Sequence, residues 1–144
     1  MKPAYASYHP PVPTFHMGQA AELLGVSTDT LRRWADAGRL ATTRSAGGRR
    51  LIDGAALAEL ARTLAVEPPT GGVVSASARN RFTGIVTRVV TDTVMAQVEL
   101  QAGPHRIVSL LSREAVDELG LAPGMLATAS IKATNVVVEL PAQP

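Results

Sequence analysis

A Pro- and Gly-rich break at Val66–Ser75, carrying Pro68-Pro69 and Gly71-Gly72, falls where the hydrophobic period of the chain changes. Upstream, from Thr14 to about Ala65, apolar residues recur at helical spacing; downstream they alternate or run β-branched, as strands do. The break therefore reads as a linker between two small units, 14–65 and 76–141. Ahead of them, residues 1–13 carry Pro3, Pro10, Pro11 and Pro13 without periodicity and read as an extended or disordered tail. The class expected is α+β. Each unit is small, and Trp34 with two Phe and two Tyr are all the aromatics in 144 residues. Cores built from Val, Leu, Ile and Ala bury little area per residue, so self-association is a physical expectation.

In the first unit, Met17, Ala20, Ala21, Leu23 and Leu24 form one apolar helix face, ended by Gly25. Ser27 is placed to cap a second helix with Leu31, Trp34 and Ala35 inward and Gly38 near its end. Asp53 can cap a third helix carrying Leu57, Leu60, Ala61 and Leu64. Between the second and third, residues 41–50 suggest short strands around Gly47-Gly48.

The second unit offers strand-like runs at Arg81–Val90, Val94–Leu100, Arg106–Leu110, Ala127–Lys132 and Val136–Leu140. One helix interrupts them, Ser112 to Leu119, with Ser112 as cap and Glu114 in the first turn, where the helix dipole favours an acid. Five short strands in so few residues predict a small barrel or sandwich of OB type.

Charge is unevenly spread although the net charge is only +2. Between Ala37 and Ile52 stand Arg39, Arg44, Arg49 and Arg50 with no acid, whereas cations and acids balance from Ala76 to Leu140. A basic excess confined to the first unit is what nucleic-acid contact requires. No Cys is present, which removes disulfides and thiolate metal sites. No apolar run reaches membrane-span length, and Lys2 followed by Pro and Tyr is not a secretory leader, so a cytoplasmic home is expected. His9, His16 and His105 lack metal-ligand spacing, and no general acid–base pair or nucleophile constellation is apparent, so the chain is not expected to be an enzyme or to hold a metal cation.

The stretch Met17 through Trp34, with Ala20-Ala21, Gly25-Val26-Ser27, Leu31 and Arg32-Arg33-Trp34, resembles the helix-turn-helix of MerR-type and excisionase-type regulators. The likeness continues through Ala37-Gly38-Arg39-Leu40 and the wing-like Gly48-Arg49-Arg50. Small Ala20 and Ala21 let two helices cross closely. Thr28, Thr30, Arg32 and Arg33 then face outward near the start of the reading helix, with Arg49 and Arg50 beside them for phosphates. Double-stranded DNA is the implied partner, read by paired modules.

Residues Ser77-Ala78-Arg79-Asn80, Gly84 with Ile85-Val86-Thr87, Ala96 to Leu100, Leu111 to Glu114, Leu119-Gly120-Leu121 with Gly124, and Ile131-Lys132-Ala133 occur in the order of the molbindin (Mop) domain. The second unit thus resembles that TOBE-type barrel, which binds molybdate and tungstate. Ser112 stands where the family often has Thr, and Thr134 where small or apolar residues are common; neither change removes a donor. The resemblance implies an oxyanion site formed by Ser77, Arg79, Ser112 and Lys132, with the backbone N–H of Ala133 approaching closely. It also implies that the site is shared between subunits of a homo-oligomer, a dimer or a trimer of dimers, with a hexamer favoured. A buried dianion must recover its hydration from charge and directed donors, which two cations and two hydroxyls can supply. The expected protein is a winged helix-turn-helix joined to an OB-like barrel, a DNA-binding regulator responding to molybdate or tungstate. The alternatives are a molybdate-buffering oligomer tethered by its first unit, and an excisionase-like architectural DNA binder.

Overall fold

The computed structural model describes residues 11–65 and 77–142, so the linker expectation at 66–75 and most of the tail expectation lie outside the described residues. The chain divides into two compact units, Met1–Glu67 and Pro68–Pro144.

In the first unit, α1 (Met17–Leu24) and α2 (Thr28–Asp36) pack beside a three-stranded sheet of β1 (Thr14–His16), β2 (Thr43–Arg44) and β3 (Arg50–Asp53), and α3 (Gly54–Leu64) follows. Local chemistry sets the helix ends. Gly25, at φ 67°, takes the left-handed conformation that closes α1. The Ser27 hydroxyl accepts from the Thr30 amide, and the Asp53 carboxylate accepts from the Ala55 and Ala56 amides. Ala20, Leu31 and Ile52 are fully buried at the centre, with Met17, Ala21, Leu40, Leu57 and Leu60 around them.

Two expectations change here. Thr14–His16 is a strand rather than the start of a helical run, because Phe15 lies against Ile52 in register with β3 and the Gly54 amide donates to the Pro13 carbonyl. Three residues are too few for a period to show. Leu23 is 65% exposed and does not belong to the apolar face of α1.

The second unit is a curled antiparallel sheet in the order β6-β5-β4-β7, formed by β4 (Asn80–Thr91), β5 (Met95–Ala102), β6 (His105–Ser112) and β7 (Leu126–Ile131). The helix α4 (Arg113–Leu119) follows β6, with the Ser112 hydroxyl accepting from the Ala115 amide. Long β4 serves two neighbours: Asn80–Ile85 pairs with β7, and Ile85–Thr91 pairs with β5 through an irregularity between Val86 and Arg88. At Gly84 the strands approach so closely that a Cβ would fall on the Gln101 carbonyl and within 2.9 Å of the Ala102 Cα. Alternation puts Val86, Ala96, Val98 and Leu100 inside, closed over by Val116 of α4.

The expected fifth strand is absent. After β7 the chain makes a short 3-10 turn at Ala133–Asn135, and Val136–Leu140 joins no ladder. Val137, Val138 and Leu140 are more than 80% exposed. Their β-branched composition favours an extended backbone, but a strand also needs a free edge within reach. Between the sheet edges β6 and β7 lies a cavity of about 540 Å³ lined by Leu100, Ile107, Leu111, Leu121, Leu126 and Ile131 among others.

The outer face of the sheet carries a charged cluster. Glu99, only 7% exposed, accepts from Arg106 Nε at 3.0 Å and from an Arg106 terminal nitrogen at 2.7 Å. Gln97 donates to the same carboxylate at 3.0 Å, and the Arg88 guanidinium lies 3.9 Å away. The Arg106 hydrogen bonds hold the Glu99 carboxyl below its ordinary value of 4.5 against the opposing effect of burial, with help from Gln97. A carboxyl whose folded value is depressed contributes stability above its unfolded value and loses it as pH falls through the folded one. Thermal unfolding of the full chain is thus expected to lose stability as pH falls below the ordinary carboxyl value of 4.5. Glu99→Gln is expected to be less stable at neutral pH and to give a flatter acid limb; superimposable limbs would show that Glu99 contributes nothing to it.

Candidate functional sites

On the first unit, Thr28 opens α2 and is half-buried. Thr30 is half-buried as well: its hydroxyl lies 2.9 Å from the Ser27 hydroxyl, which donates to it, and accepts from Arg33 at 3.3 Å. It therefore helps to organise the start of the helix. Arg32 and Arg33 are exposed, Arg32 resting 3.4 Å from the Asp29 carboxylate.

The loop between β2 and β3 forms the wing. Arg44 donates to the Gly48 carbonyl at 2.8 Å, and half-buried Arg50 pairs with Asp36 at 2.8 Å. Arg49 is exposed, and its guanidinium has no partner among the described residues. His16, Met17, Arg32, Arg44, Arg49 and Arg50 together line a concavity of about 530 Å³ with no acid in its wall. A concave surface of one sign focuses potential toward an anion. Arg39, the remaining cation of the basic run, instead stacks on Trp34 at 4.8 Å from the ring centroid.

Sequence reading left Arg44 and His16 out of this surface. Arg44 stands opposite Arg50 in the β2–β3 register, a relation that period-two alternation across the Gly-Gly turn carries in the sequence. His16 joins through β1, which was too short to be read.

On the second unit, strand register brings together part of the expected oxyanion set. Asn80 pairs with Ile131, and its side-chain amide donates to the Ile131 carbonyl at 3.3 Å. Arg79 and Lys132 therefore leave the same end of the β4–β7 ladder side by side, with Ala133 starting the 3-10 turn and Ser77 two residues upstream of Arg79. Ser112 is not brought to them. It pairs with Met95 at the start of β5, beside the Thr91 end of β4, whereas Arg79 precedes the Asn80 end. Within one chain the five residues thus form two groups at opposite ends of a twelve-residue strand.

The Ser112 end is tightly built. The Asp92 carboxylate accepts from the Val94 and Met95 amides at 2.8 and 2.7 Å. The backbone donor from Met95, then that from Val94, holds this carboxyl below its ordinary value. Arg113 donates to the Asp92 carbonyl at 3.2 Å, tying that turn to α4. Arg81, near the other end and opposite Ser130, is a further cation that sequence reading missed. Its Nε is buried without a hydrogen-bond partner among the described residues, a condition that usually marks an absent partner.

Comparison with known proteins matches two separate stretches of the chain. Residues 16–52 match the MerR family of regulatory proteins, and residues 76–138 match the TOBE domain. Molybdenum-pterin-binding protein 1 of Clostridium pasteurianum is 39% identical over 66 residues, which are 45% of this chain and 97% of that one. Molybdenum-pterin-binding protein MopB of Rhodobacter capsulatus is 32% identical over 102 residues, 69% of this chain and 38% of that protein. Among solved structures, the cytoplasmic molybdate-binding protein ModG with molybdate bound aligns at a TM-score of 0.47 and 33% identity, covering 65% of this chain and 78% of that one. With nearly the whole length of a molybdenum-pterin-binding relative covered, a TOBE match at residues 76–138 and a MerR-type region ahead of it, this chain belongs to the molbindin (Mop/TOBE) family and carries a helix-turn-helix at its N-terminal side.

Proposed function

We propose that this protein is a cytoplasmic DNA-binding transcriptional regulator that responds to molybdate or tungstate and catalyses no reaction. The observation that carries the reading is a single-sign basic concavity in a MerR-like unit joined to a domain of the molybdenum-pterin-binding family. Thr28, Thr30, Arg32 and Arg33 would lie at the major groove, with Arg49 and Arg50 toward phosphates.

Ser77, Arg79, Ser112, Lys132 and the Ala133 amide would hold the oxyanion. The donor set fits a tetrahedral dianion. Arg79 and Lys132 supply two positive charges at one ladder end, and Ser112, which uses its oxygen as a cap acceptor, keeps its O–H to donate. Since the two groups lie at opposite ends of β4, one site would draw Arg79 and Lys132 from one subunit and Ser112 from another. The unpaired Val136–Leu140 segment and the open β6 and β7 edges support assembly through strands, and the family resemblance implies a dimer or a trimer of dimers. Anion at such an interface alters DNA affinity only as far as it binds one arrangement of the subunits better than another.

One observation favours a second reading, a molybdate-buffering oligomer. The Clostridium relative is matched over 97% of its length by 66 residues of this chain, about the extent of the TOBE match alone. Calorimetric titration of molybdate, tungstate and sulfate into the full chain, followed by DNA binding with and without molybdate, tests both readings. Tight molybdate or tungstate binding, weak sulfate binding and a molybdate-dependent DNA affinity are expected. Anion binding without sequence-specific DNA binding would leave the buffer. No anion binding by a folded oligomer would leave an architectural DNA binder.

A further inference from the structure

Asp36 is an acid where a DNA-reading surface gains nothing from one. It ends α2, immediately beside the basic concavity but outside its wall, and would repel the phosphates that Arg32 and Arg49 attract. Its carboxylate lies 2.8 Å from the Arg50 guanidinium, at the first residue of β3. Arg50 faces Arg44 across the wing hairpin, and Arg44 in turn holds the Gly48 carbonyl at 2.8 Å. The wing turn is closed by the Ser45 amide on the Arg49 carbonyl and the Gly48 amide on the Ser45 carbonyl. The hairpin is thus internally braced, and the Asp36–Arg50 pair ties it to the C-terminal end of α2.

We infer that Asp36 is a positioning residue: through Arg50 it fixes the angle of the wing against α2, so that exposed Arg49 and Arg32 meet one stretch of DNA backbone together. The inference rests on the DNA-reading function proposed above. Arg50 then orients the wing as well as facing the phosphates, and Arg49 is the phosphate contact without a partner of its own among the described residues.

The two roles open to Asp36 have opposite signs. Removing an acid beside a polyanion strengthens binding to any duplex if the acid only repels. If it positions the wing, its loss weakens the selected duplex, because the competent arrangement becomes a fraction of the population. The probe is the duplex that the wild-type full chain enriches from a randomised library, compared with a scrambled duplex of the same composition, by fluorescence anisotropy. Asp29→Ala is the charge-matched control, since Asp29 is 87% exposed on the same helix and touches Arg32 but not the wing.

Asp36→Ala is expected to lose about fivefold in affinity for the selected duplex, the scale an exposed ion pair can shift a two-state equilibrium. Asp29→Ala is expected to tighten both duplexes, and Asp36→Glu to retain most of the wild-type discrimination. Hydrogen exchange at the Ser45 and Gly48 amides is expected to quicken in Asp36→Ala without DNA present. Tighter binding of both duplexes by Asp36→Ala, in parallel with Asp29→Ala and with unchanged wing exchange, overturns the inference alone. Failure of the wild-type chain to enrich any duplex overturns the DNA-reading function, and the inference falls with it.

Discussion

Arg79→Ala and Lys132→Ala are each expected to weaken molybdate binding by about ten- to a hundredfold, and the double substitution to remove it from calorimetric detection. Hydrogen bonds to charged groups contribute about 1.5–3 kcal/mol, and the two cations are adjacent because Asn80 pairs with Ile131. Arg79→Lys keeps the charge and loses the planar fork, so an intermediate affinity is expected. Ser112→Ala removes both a donor and the cap on the Ala115 amide, whereas Ser112→Thr keeps both and should be nearly silent. Unchanged affinity in the Arg79 and Lys132 variants would remove the site from this end of the sheet.

The separation of Ser112 from Arg79 makes the shared-site proposal testable without a second structure. If each site takes Arg79 from one chain and Ser112 from its neighbour, Arg79→Ala and Ser112→Ala homo-oligomers are both defective in every site. A mixed oligomer, formed by co-refolding the two variants, contains some sites with both residues intact and others lacking both. Recovered molybdate binding in the mixture, at wild-type affinity and reduced stoichiometry, is expected. A mixture no better than its components would place all the ligands within one chain.

Capping chemistry made most helix ends legible in the sequence. Ser27, Asp53 and Ser112 each need only a short side chain and an amide two or three residues on, so their effect is local. Strand positions were legible from alternation, and the order β6-β5-β4-β7 then follows from hairpin connections plus one return to β4. Pairing beyond neighbours was not legible. Val136–Leu140 has strand composition, yet nothing in composition says whether an edge is available to it. Thr30 and Arg50 were likewise visible as polar residues on a reading surface, while their bonds to Ser27, Arg33 and Asp36 depend on distances that spacing does not encode. The oxyanion motifs carried the residue types, but only strand register separates Ser112 from Arg79 and Lys132. A linear motif lists donors without saying which of them one chain can bring together.

Replacing Arg32 and Arg33 together by alanine is expected to lower affinity for a selected duplex by about a hundredfold or more, since each base or phosphate contact from arginine is worth about 1–3 kcal/mol. Neither arginine is strongly committed in the free protein. Arg32 sits 3.4 Å from an Asp29 that is 87% exposed, and Arg33 donates to a hydroxyl at 3.3 Å. Exposed pairs of this kind contribute at most about 1 kcal/mol, so releasing them to DNA costs little and the fold should survive their loss. Molybdate titration of the same variant is expected to match wild type, because the two units have separate cores. An unchanged affinity for the duplex would move DNA contact away from α2, and a parallel loss of molybdate binding would mean that the units do not fold independently. The reciprocal experiment completes the logic: the Arg79→Ala, Lys132→Ala double variant should still bind the duplex but no longer respond to molybdate. A regulator requires both results, since coupling between two sites exists only if each keeps its own ligand when the other is destroyed and loses the other's influence.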